Sequence, residues 1–335
     1  MFGKLTTIAR NTFVESIRQP IFLVLVLTGC LALILGTAWS AYTMDDDNVM
    51  QMETGLSMIF VTGLLLAAFT ATGVVSSEIE NRTVLTVVSK PVPRPLFIVG
   101  KYLGVAAALA VGHVILCAVF LLSLRHQVMQ TASDQFDGPV IVFGVVGGLL
   151  ALAASAWANY FYRWPFNSTA VGTLAGTLVV GWGLVLLLSK QWGFQSPATD
   201  FSGQMMLGLL LVLQAVLIIA AAAIAASTRL KQVMTLVACA ALFLLGVVSD
   251  SVFGRFVHDQ SPLTAEGWLS FAGRSAGAAA YYLIPNLQFL APADALILGN
   301  PFSAAYILAV SGYAALYIVA LLAVAVALFQ TREVG

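Results

Sequence analysis

Eight apolar stretches, each long enough to cross a bilayer as a helix, constrain the fold of this chain more than any other feature. A membrane-spanning helix needs about 20 predominantly apolar residues, and lipid tolerates only helices or closed barrels. The eight stretches are residues 21–42, 55–75, 97–122, 139–158, 168–189, 204–226, 233–249 and 302–329. We therefore expect an all-α fold, a polytopic membrane helix bundle with about eight transmembrane helices, forming a single domain over residues 1–335.

Composition excludes the soluble classes of protein. Hydrophobic residues make up 60% of the chain and charged residues only 9%, whereas about a quarter of an ordinary soluble domain is charged. The clustered Lys and Arg of a nucleic-acid-binding surface are missing. The expected environment is a lipid bilayer, and no nucleic-acid partner is expected.

The loops indicate an orientation, because Lys and Arg concentrate on the cytoplasmic side of membrane proteins. If the eight stretches alternate in direction and the N-terminus is cytoplasmic, 11 of the 15 basic residues lie inside and 4 outside. The acidic residues show the reverse, with 4 of 15 inside. The sequence thus predicts a multi-pass protein with both termini cytoplasmic.

Residues 1–19 have the pattern of an amphipathic helix that lies along the membrane surface. Four large apolar side chains fall on one arc of a helical wheel, and Lys4 falls opposite them. The apolar arc carries Phe2, Leu5, Phe13 and Ile17. Such a helix places its apolar face in the acyl boundary. The alternative is a frayed start of the first span.

The cytoplasmic segment 76–96 is the most informative stretch between spans. Ser77 and Glu80 have the S-x-x-E spacing of a capping box, which predicts a short helix beginning there. Several apolar residues follow, and then Pro91, Pro93 and Pro95, which end a helix. A short helix with an apolar face indicates a docking surface for a partner; the alternative is a helix lying flat on the membrane.

The same segment resembles a known family. The run Glu-Ile-Glu-Asn-Arg-Thr-Val-Leu from Glu78, then Ser-Lys-Pro-Val-Pro-Arg, then Gly100-Lys101-Tyr102, is similar to the permeases of type-2 ATP-binding-cassette (ABC) exporters. The N-terminal helix matches the elbow helix of that family, and Phe329-Gln-Thr-Arg-Glu matches its last cytoplasmic residues.

The resemblance implies a function and a set of contact residues. It implies a permease subunit in a bacterial inner membrane, working as a dimer with a second permease copy or homologue and with a separate P-loop ATPase. The ATPase-coupling residues would be Glu78, Glu80, Asn81, Arg82, Thr83, Val84, Val87, Lys90 and Arg94. The commonest family pattern has six spans, so a six-span core with an extra hairpin within residues 204–249 is the alternative to eight.

The chain itself lacks the sequence motifs of an ATPase and of a zinc-dependent hydrolase. It lacks the G-x-x-x-x-G-K-[ST] loop that cradles phosphates, so ATP is expected on the partner subunit and no cofactor or metal in this chain. No H-E-x-x-H motif occurs. Two rival functions stay open: a non-transporting membrane scaffold or signalling component with its own ATPase, and a membrane-embedded enzyme.

Three further features lead to expectations. His113 is the only ionisable residue clearly within a span, so a coupling ion held by charged groups in the bilayer is not expected. Gly172 and Gly176 form a G-x-x-x-G pattern that predicts close helix packing, either within one subunit or between two. The extracytoplasmic segment 250–301 is expected to form short helices on or partly within the outer leaflet.

Overall fold

The computed structural model describes residues 2–40, 47–80, 93–129, 135–258 and 268–330. These residues are helical almost throughout, and the only β pairing among them is the isolated bridge between Leu188 and Phe194. The helices are α1 (Phe2–Arg18), α2 (Pro20–Ser40), α3 (Asp47–Glu80), α4 (Arg94–His126), α5 (Gly138–Tyr162), α6 (Phe166–Leu186), α7 (Gly203–Ser227), α8 (Gln232–Phe253), α9 (Arg255–His258), α10 (Trp268–Leu283), α11 (Ala293–Ile297) and α12 (Ala304–Gln330).

Eight of these helices, α2 to α8 and α12, are long and apolar enough to cross a membrane. The expected all-α polytopic bundle is therefore confirmed, with eight span-length helices in the described ranges rather than six. Successive helices alternate in direction, so that α1 and the last turn of α12 lie at the same end of the bundle. We call this the terminal end. We call the opposite end, where α4 and α6 finish and α7 begins, the distal end.

The predicted helix start at Ser77 is wrong. The third helix runs without a break from Asp47 to Glu80, so Ser77 lies inside a continuous helix. An N-cap residue needs non-helical backbone angles and unpaired N–H groups after it. In a continuous helix those N–H groups already bond to the preceding turn. The S-x-x-E spacing at this position therefore marks no helix start.

The core of the bundle is formed by α3, α4 and α7. More than half of each of these apolar segments is buried inside the protein, against less than a quarter for α5, α8 and α12. The closest approach of α3 and α7 is at Gly63, where an added Cβ would lie 2.5 Å from a methyl carbon of Val216. Small residues allow such close approach of helices in a membrane. The peripheral helices leave their outer faces to lipid or to another chain.

The described chain between α10 and α12 folds back into the distal end. As expected, it contains short helices. Leu287 and Leu290 are fully buried, and the Leu287 N–H donates to the carbonyl of Gly246 in α8 at 3.0 Å. Non-helical backbone at membrane depth is tolerated only where the protein satisfies its polar groups. This re-entrant segment, residues 284–298, therefore belongs to the packed bundle and is more than a surface loop.

Tyrosine hydroxyls on one face of α12 form hydrogen bonds with backbone groups in and next to the re-entrant segment. The hydroxyl of Tyr317 donates to the carbonyl of Tyr282 at 2.7 Å, and that of Tyr306 donates to the carbonyl of Phe289 at 2.8 Å. Between them, the hydroxyl of Tyr313 accepts the N–H of Asn286 at 2.6 Å. Residues 306, 313 and 317 share one helical face, so the spacing of the tyrosines in α12 sets where the chain is held.

Candidate functional site: the terminal end of the bundle

The N-terminal helix α1 crosses the first turns of α4 at two glycines. An added Cβ at Gly100 would lie 2.7 Å from a methyl carbon of Ile8, and one at Gly104 would lie 2.5 Å from the carbonyl oxygen of Ala9. Real Cβ contacts are essentially never below 3.0 Å. A glycine pair four residues apart is a known packing face for helices in membranes. The two glycines therefore let the backbones of α1 and α4 touch.

A charged pair lies at the same crossing. The Nζ of Lys101 lies 3.4 Å from a carboxylate oxygen of Glu15, with side chains that are 5% and 40% exposed respectively. The lysine also lies over the ring of Phe97, 5.7 Å from its centroid. Because the ammonium is buried while the carboxylate is partly in solvent, the pair fixes the position of α1 along α4 more than it adds to stability.

The C-terminal turn of α12 is bound to the start of α4. The guanidinium of Arg94 donates to the carbonyl of Gln330 at 2.7 Å. One turn further, the rings of Phe97 and Phe329 stack with centroids 5.7 Å apart. The first turn of α4 is thus held on one side by α1 and on another by α12.

The corner between α1 and α2 is held by two other helices. The side-chain amide of Asn167, at the start of α6, donates to the carbonyl of Arg18 at 2.9 Å. The side chain of Gln19 packs directly on Gly73 of α3, where an added Cβ would lie 2.8 Å from the amide nitrogen. The N-terminal helix is therefore in contact with α3, α4 and α6, and a displacement of α1 would change its contacts with all three.

The amphipathic helix predicted for residues 1–19 is present as α1, but the protein covers part of its apolar arc. Leu5 is half-buried and lies near Gly100, and Phe13 and Ile17 pack against the core. The most buried residues of α1 are Thr12 and Ser16, which the wheel did not place on the apolar face. Only the backbone of Phe2 is described. The face of α1 that meets α4 is therefore rotated toward small polar residues that allow close contact.

The predicted ATPase-coupling residues fall largely on undescribed parts of the chain. Arg94 is described, and its guanidinium bonds to Gln330. The backbones of Glu78 and Glu80 belong to the last turns of α3, and their side chains lie outside the described part. Six more lie wholly outside the described residues: Asn81, Arg82, Thr83, Val84, Val87 and Lys90. What the structure does give is the anchoring of both helices that flank this segment.

Gly172 and Gly176 do not pack against another helix within the described part of the chain. Both are exposed, and an added Cβ at either would meet no heavy atom of the described residues within 4 Å. The contact between α6 and α5 lies on a different face, where Thr173 and Ser155 hydrogen-bond at 2.8 Å. Within the described residues, these positions make no packing contact of the kind expected within one subunit. Packing between two copies stays a prediction.

His113 has a structural partner. Its Nε2 lies 3.0 Å from the carbonyl oxygen of Leu209 and donates its N–H, which joins α4 to α7 in the buried core. Within the described residues, no group of three or more His, Cys, Asp or Glu side chains is arranged to hold a metal ion. The geometry of the described part is that of a packed bundle with a mechanically linked terminal end.

Sequence reasoning missed the crossing of α1 and α4. The signal was available in the spacing Gly100-x-x-x-Gly104, next to the lysine that pairs with Glu15. The pattern at Gly172 has the same spacing and makes no such contact. The spacing alone therefore does not tell which glycine pair is used.

The eight long apolar helices define a multi-pass α-helical membrane protein. No family model and no curated protein matches its sequence. Any narrower assignment therefore depends on the local motifs and on the linkage at the terminal end.

Proposed function

We propose that this chain is the membrane-spanning permease subunit of an ATP-driven ABC transporter, an exporter of the type-2 class. It would work as a dimer with a separate ATPase that docks on segment 76–96 from the cytoplasm. The observation that carries the proposal is the position of this segment, which joins two of the three most buried helices, α3 and α4. Because the first turn of α4 is also bound to α1 and α12, a push on this segment would reach the core of the bundle.

The spans themselves favour an external source of energy. A proton- or ion-coupled carrier usually has ionisable groups exposed to a path through the bilayer. His113, the only ionisable residue near the middle of a described span, is buried and bonded to a backbone carbonyl. In this proposal, ATP hydrolysis on a partner subunit supplies the energy for transport in place of an ion gradient.

Two residues that carry part of the motif resemblance also have a packing role at the start of α4. The Gly-Lys pair that resembles the family pattern is Gly100-Lys101, and both residues contact α1. The family resemblance was drawn from sequence alone, so this packing role is independent support. A rigid α1–α4 unit beside the docking segment is what a coupling device needs, because a loose one would absorb the motion of the ATPase.

A charge-reversal pair in the docking segment tests the proposal. The chain would be co-expressed with a candidate P-loop ATPase partner, as the parent and as the variant Glu80→Lys with Arg82→Glu. We expect normal insertion, because both positions are predicted to face water, but weaker co-purification of the ATPase. Each desolvated polar contact at such an interface is worth about 1–3 kcal/mol, so recovery of the ATPase should fall by roughly tenfold.

A matched control reverses one acid and one base at the distal end. Arg255 and Asp294 are both exposed there, and the variant Arg255→Glu with Asp294→Lys should leave ATPase recovery and stimulated ATP hydrolysis at the parent level. If the docking-segment variant inserts normally and still recruits and stimulates the ATPase like the parent, the coupling assignment is wrong.

A further inference from the structure

A cavity at the distal end has the chemistry of a lipid-headgroup site. It measures about 490 Å³ and lies between the ends of α4 and α6, the loop that follows α6, and the start of α7. Ligand sites typically measure about 300–1,000 Å³, so this one is large enough for a headgroup and the first carbons of its chains. Its position is remote from the terminal end, and the inference does not depend on the proposed transport function.

The wall of the cavity is apolar between the helices and polar at the rim. The apolar wall is formed by the last turns of α4 and α6 and the first turn of α7. Its side chains are Leu121, Leu124, Trp182, Leu186, Met205 and Met206. The rim carries charged side chains beyond the ends of the same helices. An amphiphile with its polar group outward and its chains inward matches this division.

One cation of the rim is already neutralised. The Nε of Arg125 lies 3.2 Å from Asp137 and 3.4 Å from Asp200, and its terminal nitrogens donate to the carbonyls of Val185 and Leu188. Its side chain is 9% exposed. Arg125 therefore serves mainly to hold α4, α5 and the loop after α6 together, and it gives the rim no net positive charge.

The other cation of the rim has no carboxylate partner. Lys190 is exposed and makes no ion pair with a carboxylate of the described residues, although it lines the same cavity. An ammonium with no partner at the mouth of an apolar pocket favours an anionic oxygen, such as that of a phosphate. Lys190 is the first of two recognition elements.

The second recognition element is one oxygen of Asp200. Its Oδ2 forms the ion pair with Arg125 and accepts a hydrogen bond from the side-chain amide of Gln195 at 2.5 Å. Among the described residues, no hydrogen bond to Oδ1 is found, and the side chain is 29% exposed. A carboxylate oxygen in this state favours a donor with positive charge, such as a primary ammonium group.

We propose that this cavity, the distal pocket, binds a membrane phospholipid whose headgroup carries both a phosphate and a primary amine. The rim residues Arg125, Lys190 and Asp200, together with the buried Asp137 that pairs with Arg125 behind the rim, sum to zero charge. An anionic headgroup would be repelled by the carboxylate of Asp200, and a purely cationic ligand would be repelled by the ammonium of Lys190. A quaternary ammonium has no N–H to donate to the open oxygen. Only the zwitterion with a primary amine satisfies both elements at once.

Lipid binding to the full-length chain in detergent, measured by native mass spectrometry, tests this proposal. The probes are dioleoyl phosphatidylethanolamine, phosphatidylcholine and phosphatidylglycerol at equal concentration. We expect the ethanolamine lipid to bind about tenfold more tightly than the other two, the size of one charge-assisted hydrogen bond. Excess O-phosphoethanolamine should displace it only weakly, because the free compound makes no contact with the apolar wall.

Two variants separate the recognition elements. Lys190→Gln should weaken all three lipids, because each carries a phosphate. Asp200→Asn should remove the preference for the ethanolamine lipid and leave phosphatidylglycerol unchanged or slightly tighter. The control Arg255→Gln removes an exposed base outside the cavity and should change nothing. Thermal unfolding of each variant monitors folding. If Asp200→Asn is unstable, Lys190→Gln provides the test, since Lys190 makes no ion pair with a carboxylate of the described residues.

Three results would overturn the proposal. The first is equal affinity of the parent for the three lipids, or a preference for phosphatidylglycerol. The second is an affinity of Lys190→Gln for the three lipids that equals the affinity of the parent. The third is binding of free O-phosphoethanolamine as tight as that of the lipid, which would make the site one for a soluble zwitterion.

Discussion

Replacing Gly104 with alanine tests whether the contact between α1 and α4 holds the terminal end together. The added Cβ would lie 2.5 Å from the carbonyl oxygen of Ala9, whereas ordinary contact begins at 3.4 Å. The difference, 3.4 − 2.5 = 0.9 Å, must come from a shift of the α1 backbone, because a carbonyl in a helix cannot rotate away. Overpacking of this kind typically costs about 1–3 kcal/mol.

Two matched alanine variants make this estimate a graded series. At Gly100 the nearest atom is a methyl carbon of Ile8 at 2.7 Å, which can move by a change of rotamer, so the cost should be smaller. At Gly172 an added Cβ meets no described atom within 4 Å, so the cost should be near zero. The gain in helix propensity from glycine to alanine, up to about 1 kcal/mol, is common to all three variants and cancels in the comparison.

The assay is thermal and chemical unfolding of the three variants in the same detergent, followed by tryptophan fluorescence. We expect Gly104→Ala to be less stable than Gly172→Ala by about 1–3 kcal/mol, with Gly100→Ala between them. Equal stability of Gly104→Ala and Gly172→Ala would refute the reasoning, because it would mean that α1 does not rest on α4 in solution. A loss of stability in Gly172→Ala alone would instead favour a contact between copies at α6.

Three more outcomes are expected. Asp137→Asn should lower the free energy of unfolding by roughly 2 kcal/mol. This is less than the ~3–5 kcal/mol that is usual for a broken buried ion pair, because Asp200 still pairs with Arg125. The exposed-site control Asp294→Asn should unfold like the parent. Tyr317→Phe should raise amide hydrogen exchange near Tyr282 by roughly fivefold, the value of a hydrogen bond of about 1 kcal/mol, with no change in α1. Cysteine labelling in intact cells should report positions 46 and 260 outside and positions 86 and 230 inside. Labelling of positions 46 and 230 from the same side would contradict the predicted orientation.

The existence and number of the long helices could be predicted from the sequence. A segment of about 20 apolar residues has no other stable state in lipid than a helix, so the eight stretches correspond to α2 to α8 and α12. The helix at the N-terminus could also be predicted from the sequence, because amphipathic spacing is a local property. The ends of the helices were harder to predict. Both α3 and α4 extend beyond their apolar cores, because polar residues alone do not end a helix.

The local motifs were weaker guides. The S-x-x-E spacing at Ser77 predicted a helix start, but the preceding helix continues through it. A capping box stabilises a helix start only where the chain before it is not already helical. The resemblance at Glu78 to Arg82 stays a prediction, since the side chains that carry it lie outside the described residues.

What the sequence by itself determined is which segments are helical and that they alternate across a membrane, because both follow from local composition and length. Only the tertiary structure decided which glycine pair is an interface and which charges meet. Gly100 and Gly172 begin identical spacings, yet only the first lies under another helix. Arg125 and Asp200 are far apart in the chain, and they pair because the ends of α4 and α6 converge. Such contacts depend on the crossing and rotation of whole helices, which the packing of many side chains sets together and no local pattern encodes.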